Sequence, residues 1–266
     1  MTAVLPRQIQ FEGAHNFRDL GGYPLACGGR FEQGLIYRSD HLGALTDRDR
    51  QQLRDLGIKT VVDFRRASER MDHPDRLQGT GIDEVWLPVE AEGVDVINIR
   101  QAVESGAVDA QGARDYLTRA NGAFVTQFAG VFSDFLHLLL EADRYPLVFH
   151  CSAGKDRAGF AAALTLLVAG VSRDTIMADY LATNDCNARY RAALMATVPD
   201  SQGGGDRRQA LDVLMQVEPA YLGSAFAAIE AGYRDDKHFL AEALNFDSGK
   251  CEALRGRLGG LPGPQG

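Results

Sequence analysis

The sequence predicts one α/β domain: a central, mainly parallel sheet flanked by helices, with a helical insertion. Three observations carry this expectation. Compact β-branched runs such as "IKTVVDF" (58–64) read as strands buried on both faces. Stretches with apolar residues at helical spacing alternate with those runs, which is the order of βαβ units. The chain has 266 residues, enough for one large core or a domain with a substantial insertion.

In chain order, the first strand expected is "GLIYRS" (34–39). A helix follows in "TDRDRQQLRDLG". Thr46 stands at its cap, Asp47 and Asp49 in its first turn, and Gly57 at its stop. "IKTVVDF" and "DEVWLPV" (83–89) are the next strands. Residues 90–112 are the least regular part and read as the start of an insertion over about 90–130, a candidate lid. Residues 116–142 read as one core helix. "YPLVFH" (145–150) is the last strand, and the apolar "FAAALTLLVAG" (159–170 with its leading glycine) continues as a helix. Beyond Gly170 the chain reads as helical, with Ser172 as a cap. "SQGGGDRR" (201–208) reads as a flexible connector and 261–266 as a disordered tail. The expected organisation is a single domain over 1–260.

The formal net charge of −8 argues against nucleic acid or an anionic membrane surface as the main partner, while leaving room for a local cationic pocket. Cys27, Cys151, Cys186 and Cys251 form no CxxC pair and no zinc pattern, which suits reduced thiols and a cytoplasmic location. The N-terminus shows no charged leader followed by an apolar segment, and no run approaches 18 apolar residues, so no stable membrane insertion is expected. Export without a signal peptide stays open, as does the oligomeric state. His15, His41, His73, His137 and His238 are scattered, and neither a metal nor an organic cofactor is expected.

The chemistry concentrates in "FHCSAGKDRAG" (149–159). A helix beginning near Arg157 would point free N–H groups and the positive end of its dipole into the preceding loop. The amides of Ser152, Ala153, Gly154, Lys155, Asp156 and Arg157 can then form a concave anion site. Gly154 and Gly159 permit tight curvature and close approach. The planar fork of Arg157 suits two oxygens of a phosphate. Cys151 sits at the base, where a helix N-terminus and nearby cations favour the thiolate. Such a thiolate is an in-line nucleophile toward bound phosphate, giving a phosphocysteine that water then hydrolyses.

The C-x5-R spacing preceded by His150 resembles the signature of the cysteine-dependent tyrosine phosphatase superfamily. HCSAGKDRAG is similar to the HCxxGKDR loop of its bacterial atypical members. "NFRDLGGY" (16–23), "IYRSDHL" (36–42) and "VVDFRRASE" (61–69) precede the loop in the order those proteins show, and "DYLATN" (179–184) and "YLGSAFAAIEAGYRDDKHFL" (221–240) resemble their C-terminal helices, so the resemblance runs from about residue 11 to about 258. It implies a tyrosine phosphatase-like fold, Cys151 as nucleophile and Arg157 as phosphate clamp. Lys155 and Asp156 would shape substrate choice, and His150 would tune the thiolate by hydrogen bonding. The activity implied is hydrolysis of phosphotyrosine in proteins, with phosphoserine and phosphothreonine as further substrates. A phosphoinositide substrate is the alternative, since Lys155 could pair with a second phosphate. A catalytically weak phosphate-binding protein is a third reading.

Two positions depart from the superfamily. Ala158 replaces the usual Ser or Thr after the arginine and offers no hydroxyl to help the thiolate leave. No aspartate adjoins the single tryptophan, Trp86, so the mobile-loop general acid is missing. Asp156, inside the loop, and Asp63, at the end of a strand, are the candidate acids. Asp63 reads equally as a structural partner of Arg65, Arg38 or Arg18. Asn16, Arg18 and Asp19 read as scaffolding, and Tyr180 and Asn184 as core packing.

Overall fold

In the computed structural model, which describes residues 7–25, 29–90, 99–198 and 204–259, the sheet has six strands in the order β1-β2-β3-β6-β4-β5. β3 (Ile36–Ser39), β6 (Leu147–His150), β4 (Thr60–Asp63) and β5 (Asp83–Trp86) run parallel. β1 (Arg7–Gln8) and β2 (Arg18–Asp19) add a short antiparallel edge that the sequence pattern does not announce. Two-residue strands carry too little alternation to be read. At the other edge β5 is shorter than the run 83–89, and its polar side chains suit an exposed margin.

β6 is inserted between β3 and β4, which precede it in the chain. Its register sets His150 opposite both Ser39 and Asp63, so three strands end at one level. The strand order reverses at this point, where the loops leaving neighbouring strands diverge and open a crevice. All four β6 side chains are buried, as expected of a strand with neighbours on both edges and cover on both faces.

Side chains alternate across the sheet. Tyr37, Val61 and Val148 face a smaller core with Phe11, Phe17 and Leu53, under helix α1 (Asp47–Asp55). α1 starts where its sequence signal lies: Thr46 accepts from the Asp49 amide, Asp49 accepts from the Thr46 amide, and Gly57 follows with φ +69°. Ile36, Val62 and Phe149 face the larger core. This is covered by α4 (Ala110–Thr126), α5 (Ala129–Leu138) and α6 (Asp156–Ala169). α6 is apolar all round and buried over most of its length, hence central rather than amphipathic. The remaining helices are α2 (Ala67–Asp72), α3 (Ile99–Glu104), α7 (Arg173–Leu181), α8 (Thr183–Cys186), α9 (Ala188–Ala196), α10 (Gly204–Met215), α11 (Pro219–Gly232), α12 (Asp236–Glu242) and α13 (Ser248–Arg257). Ser172 caps α7 through the Thr175 amide.

Two expectations need correction. Residues 116–142 are not one helix: the chain breaks between α4 and α5 at Gln127–Phe128. Phe124 and Phe132 would stand about 12 Å apart along a continuous helix, yet their rings lie 5.6 Å apart and both pack on Phe160. Aromatic packing on α6 has overridden helix continuity. Of the connector expected over 201–208, residues 204–208 are helical as the start of α10, while 201–203 lie outside the described residues. Residues 261–266, Cys27 and the segment 91–98 of the insertion lie outside the described residues. Among the described residues no helix is long and apolar enough to cross a membrane.

Candidate active site

The loop Cys151–Lys155 joins β6 to the N-terminus of α6, in the crevice at the strand ends. Gly154 has φ +67°, and a Cβ there would fall 2.6 Å from the Ser39 carbonyl oxygen. The loop is pinned from beneath through its carbonyls. Asn16 Nδ2 donates to those of Ala153 (3.2 Å) and Gly154 (3.0 Å), Arg38 Nη2 to Gly154 (2.7 Å), and the His41 amide to Ser152 (3.2 Å). The first turn of α6 leaves its N–H groups without intrahelical acceptors, as an anion site needs.

The pins are themselves held. Arg18 and Arg38, both fully buried, converge on Asp179 of α7, with Arg38 Nη1 2.8 Å from Oδ2 and Arg18 Nε 3.5 Å from Oδ1. Arg18 also donates to the Asn16 side chain. Burial pushes the Asp179 carboxyl up, but the two guanidiniums hold it below the usual carboxylate range. Burial and the charge of Arg18 bring Arg38 down to about 10. Arg18 and Asn16 thus act as the scaffolding read from the sequence.

Cys151, the first residue of the loop, is 3% exposed. Arg157 retains 17% exposure and makes a two-pronged pair with Glu69 of α2, at 2.6 and 2.8 Å. Glu69 also accepts from Ser152 Oγ at 2.5 Å and from the Arg66 amide at 2.9 Å. Burial works against both charges, yet the pair holds Arg157 above and Glu69 well below their ordinary values. Glu69 appears in the sequence only as the end of "VVDFRRASE". The signal that marks it is an acid on the segment leaving a strand that ends at the cysteine loop's level.

His150 is fully buried. Its Nε2 lies 3.0 Å from Asp75 Oδ2 and its Nδ1 lies 3.2 Å from the Cys151 carbonyl oxygen. Burial pulls the imidazole down, but Asp75 and Asp63 outweigh it and raise it. Asp75, another residue the sequence reading misses, is lowered to about 2 by His150 and Arg65 against its own burial. Asp63 is buried and taken up by Arg65 (Nε 3.0 Å, Nη2 2.9 Å) and by Arg70 Nε at 3.0 Å. Asp63, Asp75 and His150 could together offer three ligand atoms to a metal ion. The buried Arg65 guanidinium bonds both carboxylates, so a cation there would meet a fixed positive charge. Trp86, 43% exposed, donates its indole N–H to the Arg65 carbonyl at 2.8 Å, with Arg70 5.2 Å above its ring.

Lys155 is buried, and its Nζ donates to the Leu214 carbonyl of α10 at 2.5 Å. Asp156 opens α6 with a side chain 21% exposed, the freer of the two candidate acids. Its Oδ1 accepts from the Tyr180 hydroxyl and from Asn121 Nδ2, each at 3.3 Å. Tyr180 therefore does more than pack the core. Asn184 instead brackets the backbone of Val217 at 2.9 Å on both sides. Ala158 is fully buried in the first turn of α6.

Residues 9–260 match the sequence model of a tyrosine phosphatase family. A candidate tyrosine-protein phosphatase of Cupriavidus necator is 33% identical over 243 residues, spanning 90% of this chain and 85% of that protein. A tyrosine-protein phosphatase of Nostoc commune is 32% identical over 232 residues, spanning 84% and 73%. The triple specificity protein phosphatase PtpB of Mycobacterium tuberculosis is 29% identical over 279 residues, spanning 95% and 98%.

Proposed function

Because this chain belongs to the tyrosine phosphatase family, and is an enzyme of that family, we propose that it hydrolyses protein phosphotyrosine through a phosphocysteine at Cys151. The observation that carries the proposal is the Arg157 guanidinium, fixed by Glu69 at the mouth of a glycine-turned loop whose base is a buried cysteine. The phosphoryl oxygens would lie against the N–H groups of the loop and first turn of α6, with Arg157 taking two of them. The Cys151 sulfur attacks phosphorus as the bond to the tyrosine oxygen breaks. Asp156 gives that oxygen its proton. Water then attacks the phosphocysteine, Asp156 takes a proton from it, and the thiolate leaves as inorganic phosphate forms.

Asp156 is chosen over Asp63 because Asp63 is buried under two guanidiniums, whereas Asp156 is partly open at the loop's rim. His150 acts on the nucleophile indirectly, through the Cys151 carbonyl. A substrate range beyond phosphotyrosine is part of the proposal, since one relative is a triple specificity phosphatase. Lys155, committed to α10, gives no support to a second-phosphate role in lipid recognition. The near-complete burial of Cys151, and α4 lying against Asp156, support a covering role for the insertion over 90–130.

The test is hydrolysis of para-nitrophenyl phosphate, phosphotyrosine peptides and a phosphoinositide by the purified chain and its Cys151→Ser variant. Turnover of the first two that vanishes in the variant is expected. Turnover that survives the substitution overturns the nucleophile, and a faster lipid rate overturns the substrate class.

A further inference from the structure

We infer that Asn121 of α4 and Tyr180 of α7 are positioning residues that turn the Asp156 carboxyl so that Oδ2 carries the proton given to the leaving oxygen. The inference rests on the reading of Asp156 as general acid.

Asn121 is fully buried in the middle of a core helix, where an amide is costly unless its polar atoms are bonded. Its Nδ2 donates to the Leu117 carbonyl (2.9 Å) and to Asp156 Oδ1 (3.3 Å), while its own Oδ1 has no partner among the described residues. Rotating the amide would set Oδ1 against the Leu117 carbonyl and forfeit both donations, so Asn121 is a donor of fixed direction. A leucine would fill this place without an orphaned oxygen. The retained amide makes sense through what it holds.

Tyr180 of α7 delivers the second donor. It is buried, and its hydroxyl reaches the same Oδ1 at 3.3 Å. Burial and the neighbouring Asp156 charge suppress its ionisation, so it stays a donor through the working pH range. Its ring has its place because residue 159 is glycine: a Cβ there would fall 2.7 Å from Tyr180 Cε2. The close helix approach expected of Gly159 thus serves this contact.

Both donors end on one oxygen. A carboxyl whose Oδ1 lone pairs are occupied keeps its acidic proton on the other oxygen. Asp156 Oδ2 instead faces the Lys155 ammonium at 3.5 Å, beyond a good hydrogen bond. Two helices from distant parts of the chain thereby select which oxygen is free to deliver the proton.

The experiment compares kcat/KM on phosphotyrosine, a poor leaving group, with that on an activated aryl phosphate needing little protonation. The proteins are wild type, Tyr180→Phe, Asn121→Ala and Asp156→Asn, each checked by thermal melting. Tyr180→Phe keeps the ring and guards against misfolding of the Asn121 variant. Expected is a loss of about tenfold on phosphotyrosine for each positioning variant, the scale of one hydrogen bond to a charged group. The activated substrate should fall less than about twofold, and the limb of the pH profile due to the acid should move. Equal losses on both substrates in Tyr180→Phe, or none, overturn the inference. If Asp156→Asn itself fails to discriminate between the substrates, the acid assignment falls and the inference with it.

Discussion

Glu69 shows how one side chain can govern the proposed phosphate clamp without touching the reacting atoms. It fixes the Arg157 fork at two points and takes the Ser152 hydroxyl as well. Glu69→Gln keeps an acceptor but removes the charge, so the guanidinium loses its strongest anchor. kcat/KM should fall about 10- to 100-fold, largely through KM, as a steady-state comparison would show. Glu69 sits below its unfolded value, so its contribution to stability is present above about pH 4.3 and is lost as pH falls through the depressed native value. The stability difference between wild type and Glu69→Gln, measured by urea melts, should therefore hold from neutrality to about pH 5 and shrink only below that. Cys151 and Arg157 are legible in the sequence because one turn holds them at fixed spacing. Glu69 and Asp75 are not, because they reach the site through the parallel neighbour β4 and the segment after it.

Among elements, the joint between β6 and α6 is the most constrained. Gly154 combines a left-handed backbone with a strand end closer than a methyl group allows. Gly154→Ala should cost at least about 2 kcal/mol in stability and about 100-fold or more in activity, because the loop must leave Ser39 and with it the carbonyl pins. Unaltered melting and kinetics in that variant would falsify the account of the loop. The inner strands β4 and β6 are readable because burial on both faces leaves mostly apolar runs. The break between α4 and α5 is not, since the apolar spacing of 116–142 fits a helix throughout. Only the convergence of two phenylalanines on Phe160 discloses it.

For the molecule as a whole, the buried Arg18–Asp179–Arg38 group joins the sheet, the C-terminal helices and the cysteine loop into one cooperative unit. Removing the anion strands two buried guanidiniums. Asp179→Asn should destabilise the fold by about 3–5 kcal/mol, a fall in Tm of about 10 °C for a chain of this size. Activity should disappear together with structure rather than before it, which melting curves followed by circular dichroism and by hydrolysis would reveal. Of these residues the sequence marks Arg18 as scaffolding, which its full burial explains, and Arg38 only as a partner of Asp63. Their shared partner is invisible there, because Asp179 lies over a hundred positions downstream of both arginines.

Trp86 gives the protein a built-in optical reporter. It is the only indole in the chain, half open to solvent and tied to the backbone of Arg65, with Arg70 of the Glu69-bearing helix resting on its ring. An anion that displaces Glu69 from Arg157 is expected to disturb the helix whose Arg70 rests on this fluorophore. Occupancy of the pocket can thus be followed by intrinsic emission, with no dye attached and no turnover required.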